Sequence, residues 1–234
     1  MDQKGIFGAG VAICIGLVVI GNMFPAAVAK YREADRTVSV KGLCEREVAA
    51  DKVIWPIQYK SVGNDLNVVT AELESKNAAI IKFLVQGGVK ESEITTSRPS
   101  ISDKYTTEYG SNDRAFRYVA TSTVTVCSRE VDKILSLMKE QNKLLRLGIA
   151  PQESWDNTTV FSFEGLNDIK PEMVREATVN AREVAQQFAR DCGSTLGKIR
   201  SASQGTFSIA DRDSNTPQIK KVRVVTNVVY NLKN

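Results

Sequence analysis

The chain has no histidine, four single cysteines, and carboxylates and lysines spread along all 234 residues, and this inventory limits what chemistry it can perform. Without an imidazole, Ser-His-Asp and Cys-His nucleophilic catalysis in their usual forms are excluded, as are histidine-ligated zinc and histidine-based proton transfer. Carboxylate pairs, a Ser-Lys arrangement or lysine chemistry stay formally open, yet no motif organises them. There is no G-x-G-x-x-G, Walker-type loop, H-E-x-x-H or D-x-D-x-D-G calcium loop. Cys14, Cys44, Cys127 and Cys192 form no C-x-x-C pair, and they read as small, mostly buried residues rather than a disulfide framework. We therefore assign no catalytic, cofactor-binding or metal-binding residue and expect a protein that is not an enzyme.

What remains is the chemistry of recognition. The polar stretch 102–116 carries Tyr105, Tyr109 and Arg114, with Arg117 just beyond it, and the stretch 210–220 carries Asp211, Arg212, Asp213 and Pro217. Aromatic and arginine side chains are favoured at protein interfaces. These eight residues are the candidate contacts between copies of the chain, with solvated loop tips as the plain alternative.

The elements that must position them follow from hydrophobic period. Thr37-Val38-Ser39-Val40-Lys41-Gly42-Leu43 alternates polar and apolar, and residues 52–59 follow as a second strand, in which Pro56 requires an edge or a bulge. From the N-cap Asp65, Leu66, Val69, Leu73, Ile80 and Leu84 mark an amphipathic helix stopped by Gly87-Gly88. Strands over 94–101 and 117–127 come next. Val131, Ile134, Leu135 and Met138 signal a second helix running towards Leu144 and closed by Gly148, and residues 158–163 alternate as a strand. Asp168 caps a third helix with Pro171 in its first turn and Met173, Val174, Ala177, Ala181, Val184, Ala185 and Phe188 on one face, which the alanines make flat; Gly193 ends it. Strands over 198–209 and 221–232 complete the chain.

Laid over one another at a separation of about 105 residues, the two halves repeat. Phe83, Gly88 and Ile94 match Phe188, Gly193 and Ile199 as helix end, glycine cap and strand start. Each half, 37–128 and 129–234, reads as strand, helix, strand, strand, with residues 37–50 and the second helix as additions. The fold class expected is α+β, and the two polar stretches fall at equivalent hairpin positions.

Residues 5–28 contain no charge, and 24 helical residues at about 1.5 Å each exceed a hydrocarbon core of about 30 Å. Ile6, Phe7, Val11, Ile13, Ile15, Leu17, Val18, Val19, Ile20 and Phe24 would form a transmembrane signal-anchor over residues 1–29, leaving 30–234 as the folded domain. The competing reading is a cleaved leader, because Ala27-Val28-Ala29 is a small-x-small site. Lys30, Arg32, Arg36 and Lys41 lie after the span against Lys4 and the α-amino group before it, so a bare count of positive charge favours a cytoplasmic domain. Glu33 and Asp35 interleave with them and a large domain can be translocated regardless of local charge, which leaves the orientation undecided on the residues alone. The rest is ordinary globular sequence, 42% hydrophobic and 25% charged. A dispersed net charge of +4 gives no footprint for nucleic acid.

Val38-Ser39-Val40-Lys41-Gly42 with Glu45-Arg46-Glu47-Val48 and Ala50-Asp51, then Gly165-Leu166-Asn167-Asp168-Ile169-Lys170-Pro171, then Phe207-Ser208-Ile209-Ala210-Asp211-Arg212-Asp213 before Lys221-Val222-Arg223-Val224-Val225, resemble the SIMPL-domain family of bacterial envelope proteins. The similarity is greatest to the branch with an N-terminal membrane anchor. The resemblance implies an α+β fold with a repeated strand-helix-strand-strand unit, a periplasmic domain on an inner-membrane anchor, and assembly into large homo-oligomeric rings or cages with no established catalytic residues. The implied partners are other copies of the chain and the lipid bilayer. Uncovered sheet edges and faces give an independent reason to expect assembly. A periplasmic binding or chaperone-like module, and a hydrolase built on carboxylates and serines, are the alternatives.

Overall fold

The computed structural model describes residues 36–107, 115–152 and 154–233, together with Gly16 and Gly21. The ten expected anchor residues between positions 6 and 24 lie outside the described residues, as do Tyr109 and Arg114. Among the described residues no helix is long and apolar enough to cross a membrane. The described residues form a mixed α+β fold that contains two sheets and five named α-helices, and the chain divides into two compact units, each assembled from separate stretches.

One unit comprises Glu47–Asp168 and Ile209–Val222. Strand β1 (Thr37–Ala49) leads into β2 (Lys52–Gly63), helix α1 (Leu66–Gln86), β3 (Ile94–Thr96), β4 (Ser100–Asp103), a single turn α2 (Lys104–Thr107) and β5 (Tyr118–Ser128). Helices α3 (Val131–Lys139) and α4 (Asn142–Arg146) and the short β6 (Val160–Ser162) follow. Its sheet runs β3-β5-β2-β6, with β4 also on β5. Pro99 divides the single strand expected over 94–101 into β3 and β4. The single helix expected from Val131 breaks into α3 and α4, because the Glu140 and Gln141 amides turn back to Leu137 O and Met138 O, three residues earlier. Pro56 faces Thr125 of β5, and β6 pairs β2 only from Lys52 to Ile54, so the proline sits where β2 has one neighbour and no donor is missed. Asp65 caps α1 through the Asn67 amide at 2.8 Å. Val53, Trp55, Ile57 and Tyr59 from β2 alternate into one core with Val69, Leu73, Ile80 and Leu84 from α1 and Val124 and Val126 from β5.

The other unit comprises the described residues up to Arg46 with Ile169–Ser208 and Arg223–Asn234. It holds most of α5 (Leu166–Asp191), β7 (Thr195–Gln204) and most of β9 (Ile219–Lys233), with β8 (Ser208–Asp211) also pairing β9. The sheet order is β1-β9-β7. The structure thus departs from a sequential pair of halves: the strand over 158–163 pairs with β2, and the place beside β9 is filled by β1 rather than by a strand next to α5 in sequence. The repeat itself survives in register. Thr96 faces Val124 on β5 and Ser201 faces Val229 on β9, an offset of 105 residues on both strands. Gly88 and Gly193, at the equivalent helix ends, both have left-handed φ, 84° and 64°.

Helix α5 begins at Leu166, two residues before the expected cap, which places Asp168 in the first turn and Pro171 inside the helix. The cause is a long-range contact described below. Met173, Ala177, Ala181, Ala185 and Ala189 are buried along one stripe, and Ala181 and Ala185 share a core with Val38, Val40, Val228 and Tyr230, whereas Val184 and Phe188, expected on the same face, fall off this i, i+4 stripe and are exposed. A Cβ at Gly42 would lie 1.8 Å from the Ala177 carbonyl oxygen and 2.8 Å from Ala181 Cβ. Strand and helix are therefore in backbone contact. Ala181→Leu is expected to lose about 1–3 kcal/mol of stability by overfilling this contact. Thermal unfolding tests it, and an unchanged midpoint would mean that α5 does not present this stripe to the sheet.

Candidate functional site

The first candidate loop is built on a carboxylate at the end of β4. Asp103 Oδ1 accepts from the Tyr105 amide at 3.0 Å and its carbonyl accepts from Thr106 Oγ1 at 3.0 Å, which starts the turn α2. Arg117, just before β5, grips the same carboxylate with Nε at 3.2 and 3.0 Å and Nη2 at 2.8 Å. Two parallel charge-assisted bonds fix the guanidinium plane, which then lies 5.4 Å from the Tyr105 ring centre and 4.9 Å from that of Tyr118. Asn64 accepts from the Arg117 amide at 2.9 Å and donates to Ala115 O at 3.4 Å. The Arg117 guanidinium holds the Asp103 carboxyl below the usual carboxylate range. Around this clamp, Tyr105, Phe116 and Ile101 are 51%, 48% and 46% exposed. The structure thus brings Tyr105 and Arg117 together and adds Asp103, Asn64 and Tyr118, which sequence reasoning missed because their link is tertiary.

The second loop closes on itself. Asp211 pairs with Lys220, a lysine only 6% exposed, and the Arg212 amide bonds to Ile219 O at 2.9 Å. Asp213 Oδ1 accepts the Asn215 and Thr216 amides at 2.9 and 2.8 Å, while Oδ2 takes the Thr216 hydroxyl. Arg212 donates to Asp213 Oδ2 at 3.0 Å and to Thr216 Oγ1 at 2.9 Å, and lies 3.5 Å from Glu47. Asp211, Arg212 and Asp213 therefore each have a partner within the chain, and Pro217 is half-buried in the turn that follows. The Thr216 hydroxyl first, then the Arg212 guanidinium and the two amides, lower the Asp213 carboxyl to about 2.

A third cluster went unassigned in the sequence although two of its residues, Asp51 and Gly165, sit inside the motifs quoted above. The Asp51 carboxylate accepts the Glu164 amide at 2.8 and 3.0 Å and the Gly165 amide at 2.7 Å. Glu164 in turn bridges Lys52 at 2.7 Å and Arg129 at 3.1 Å. Asp51 thereby caps, from more than a hundred residues away, the turn that precedes Leu166, and this is why the helix starts ahead of Asp168. These contacts orient backbone and offer no open acid or base.

The cysteines correct an expectation. Only Cys44 of the three described is buried; Cys127 and Cys192 are exposed. Cys127 follows the buried Val126 on β5 and so takes the opposite face, while Cys192 lies just past the end of α5. Burial, then the neighbouring Glu176 carboxylate, push the Cys44 thiol up to about 11, which keeps it protonated and unreactive at neutral pH. Among the described residues no group of three or more cysteines and carboxylates could hold a metal ion.

Asp213 supplies a pH test. Its folded value lies below the ordinary 3.8, so its contribution to the loop is complete above about 3.8 and is lost as pH falls through about 2. Carboxyl-carbon NMR should find its midpoint near about 2 in the parent and higher in Thr216→Val. A parent midpoint at 3.8 would mean the cap does not form in solution.

Compared with known families, residues 38–230 match the SIMPL profile, described as a protein of unknown function (DUF541). No curated protein matches the chain significantly.

Proposed function

Because the chain belongs to the SIMPL family, and because an uncharged run precedes the folded domain, we propose that it is a membrane-anchored scaffold of the bacterial cell envelope. In this reading residues 1–29 span the inner membrane once, the domain stands in the periplasm, and copies assemble into a large homo-oligomeric ring or cage. The observation that carries the assembly is the exposed Tyr105, Phe116 and Ile101 set around the Arg117 clamp. Aromatic and arginine groups dominate the energetics of interfaces. Here Arg117 is held by Asp103 with the Tyr105 ring beside it before any partner arrives, so these two side chains have little entropy left to lose on contact. Anchoring every copy in one plane raises their mutual concentration and favours ring closure.

A non-enzymatic role has its own support. Among the described residues, the carboxylates whose titration moves, Glu72, Asp103, Glu130, Glu172 and Asp213, all move down, held ionised by a lysine, an arginine or a hydroxyl. A carboxyl working as a general acid near neutral pH needs its pKa raised instead.

Mass photometry of the detergent-extracted full chain tests assembly. The parent should form particles many times the 25.7 kDa chain mass, and Tyr105→Ser with Phe116→Ser should shift them to smaller species with an unchanged circular dichroism spectrum. Equal particle masses would remove this loop from the interface, and a monomeric parent would sink the scaffold reading. Intact-mass measurement on the membrane fraction is expected to give the uncleaved chain. A chain beginning at Lys30 would eliminate the anchor.

A further inference from the structure

We propose that the groove between α5 and β7 binds an extended acidic peptide segment of a partner protein, added to β7 as a further strand. The inference is independent of the assembly reading, which concerns the other unit.

The first support is the state of the sheet edge. β9 is the only strand beside β7 among the described residues. Register shifts between Leu196 and Ser201 give way to regular pairing of Ser201 through Gln204 with Val229 through Thr226. Residues 198–204 are exposed, so the outer side of the regular stretch presents a row of backbone donors and acceptors without a neighbouring strand. Such an edge is a template for an added strand.

The second support is the groove alongside, about 450 Å³ in volume. Val179 and Ile199, 48% and 52% exposed, line it with Leu196 and the buried Tyr230. An added strand directs alternate side chains towards one face, and this apolar lining suits them. Arg182 and Lys198 also line the groove, and neither has a hydrogen-bond or ion-pair partner among the described residues. Two unpaired cations beside an apolar floor select an occupant that carries carboxylates.

The internal repeat supplies the third. At the positions 105 residues earlier, Thr178 and Arg182 become Leu73 and Asn77. Leu73 is 2% exposed in the core, and Asn77 Oδ1 accepts from Tyr59 at 3.0 Å and Ser122 at 3.2 Å. In that unit both side chains turn inward, Leu73 into the core and Asn77 onto Tyr59 of β2 and Ser122 of β5, so the place beside the helix carries no cation. Here the same backbone positions carry a short hydroxyl and an outward guanidinium, and the place stands open.

The test uses the full-length protein in nanodiscs and a fluorescein-labelled seven-residue peptide of alternating Glu and Val, read by anisotropy. Three comparators accompany it: a Lys-Val peptide, the Glu-Val peptide N-methylated at alternate amides, and dodecanoate as competitor. The Glu-Val peptide should bind, the Lys-Val and N-methylated peptides should not, and Arg182→Glu with Lys198→Glu should weaken binding about tenfold or more. Both residues are exposed, so the double variant should keep its circular dichroism spectrum. Bound peptide should also slow hydrogen exchange at amides within 201–204. The proposal is overturned if the Glu-Val peptide fails to bind at millimolar concentration, or if the double variant binds it equally. Full retention by the N-methylated peptide together with displacement by dodecanoate would also overturn it, making the groove a site for small amphiphilic anions.

Discussion

Backbone contact between β1 and α5 is the constraint on which the smaller-cored unit depends. At Gly42 the strand lies against the Ala177 carbonyl, a separation that no residue with a Cβ could keep. The alanine stripe from Ala177 to Ala189 allows that approach along three turns of helix. Close approach substitutes for side-chain volume: where the other unit fills its core with Trp55, Tyr59, Ile80 and Leu84, this one brings the two backbones together. Dense packing is reached both ways, but the alanine route leaves less side chain to spread sideways from the helix.

That difference explains why two units of similar strand and helix order present dissimilar surfaces. In the unit with the larger core, Ile134, Leu137 and Leu144 from α3 and α4 join Phe83 and Leu84 around the end of α1. In the unit built on α5, Phe188, the repeat mate of Phe83, is 51% exposed, and the flank towards β7 opens into a groove. The pairs β3–β5 and β7–β9 share one register while the faces of the two units differ, because backbone pairing tolerates substitution that side-chain packing does not.

Electrostatics organises the loops without making a reactive centre. Arg117, Arg212 and Glu164 each satisfy more than one partner, and in every case the effect is to fix a backbone turn next to a strand or helix end. Exposed pairs of this kind contribute little stability one at a time. Their consequence is geometric, since a guanidinium held by Asp103 presents Tyr105 and Tyr118 in one arrangement. A preformed surface suits repeated contact between identical subunits.

Local signals in the sequence were sufficient for several of the elements: Asp65 and Gly88 at the ends of α1, the alternation of β2 and β5, the alanines of α5, the 105-residue offset, and the place of Pro56 where β2 has one neighbour; they did not show the breaks within 94–103, 131–146 and 195–211. Such signals depend on residues within a turn or two of one another, and on the period with which side chains repeat. The tertiary structure decided what required partners far apart in the chain. Asp51 sets where α5 starts, Asp103 and Asn64 position Arg117, and Glu47 meets Arg212, none of which leaves a periodic trace. The tertiary structure also chose β1 rather than the strand over 158–163 to complete the second sheet. Both segments alternate, and only burial against the alanine face, which needs a glycine at position 42, distinguishes them.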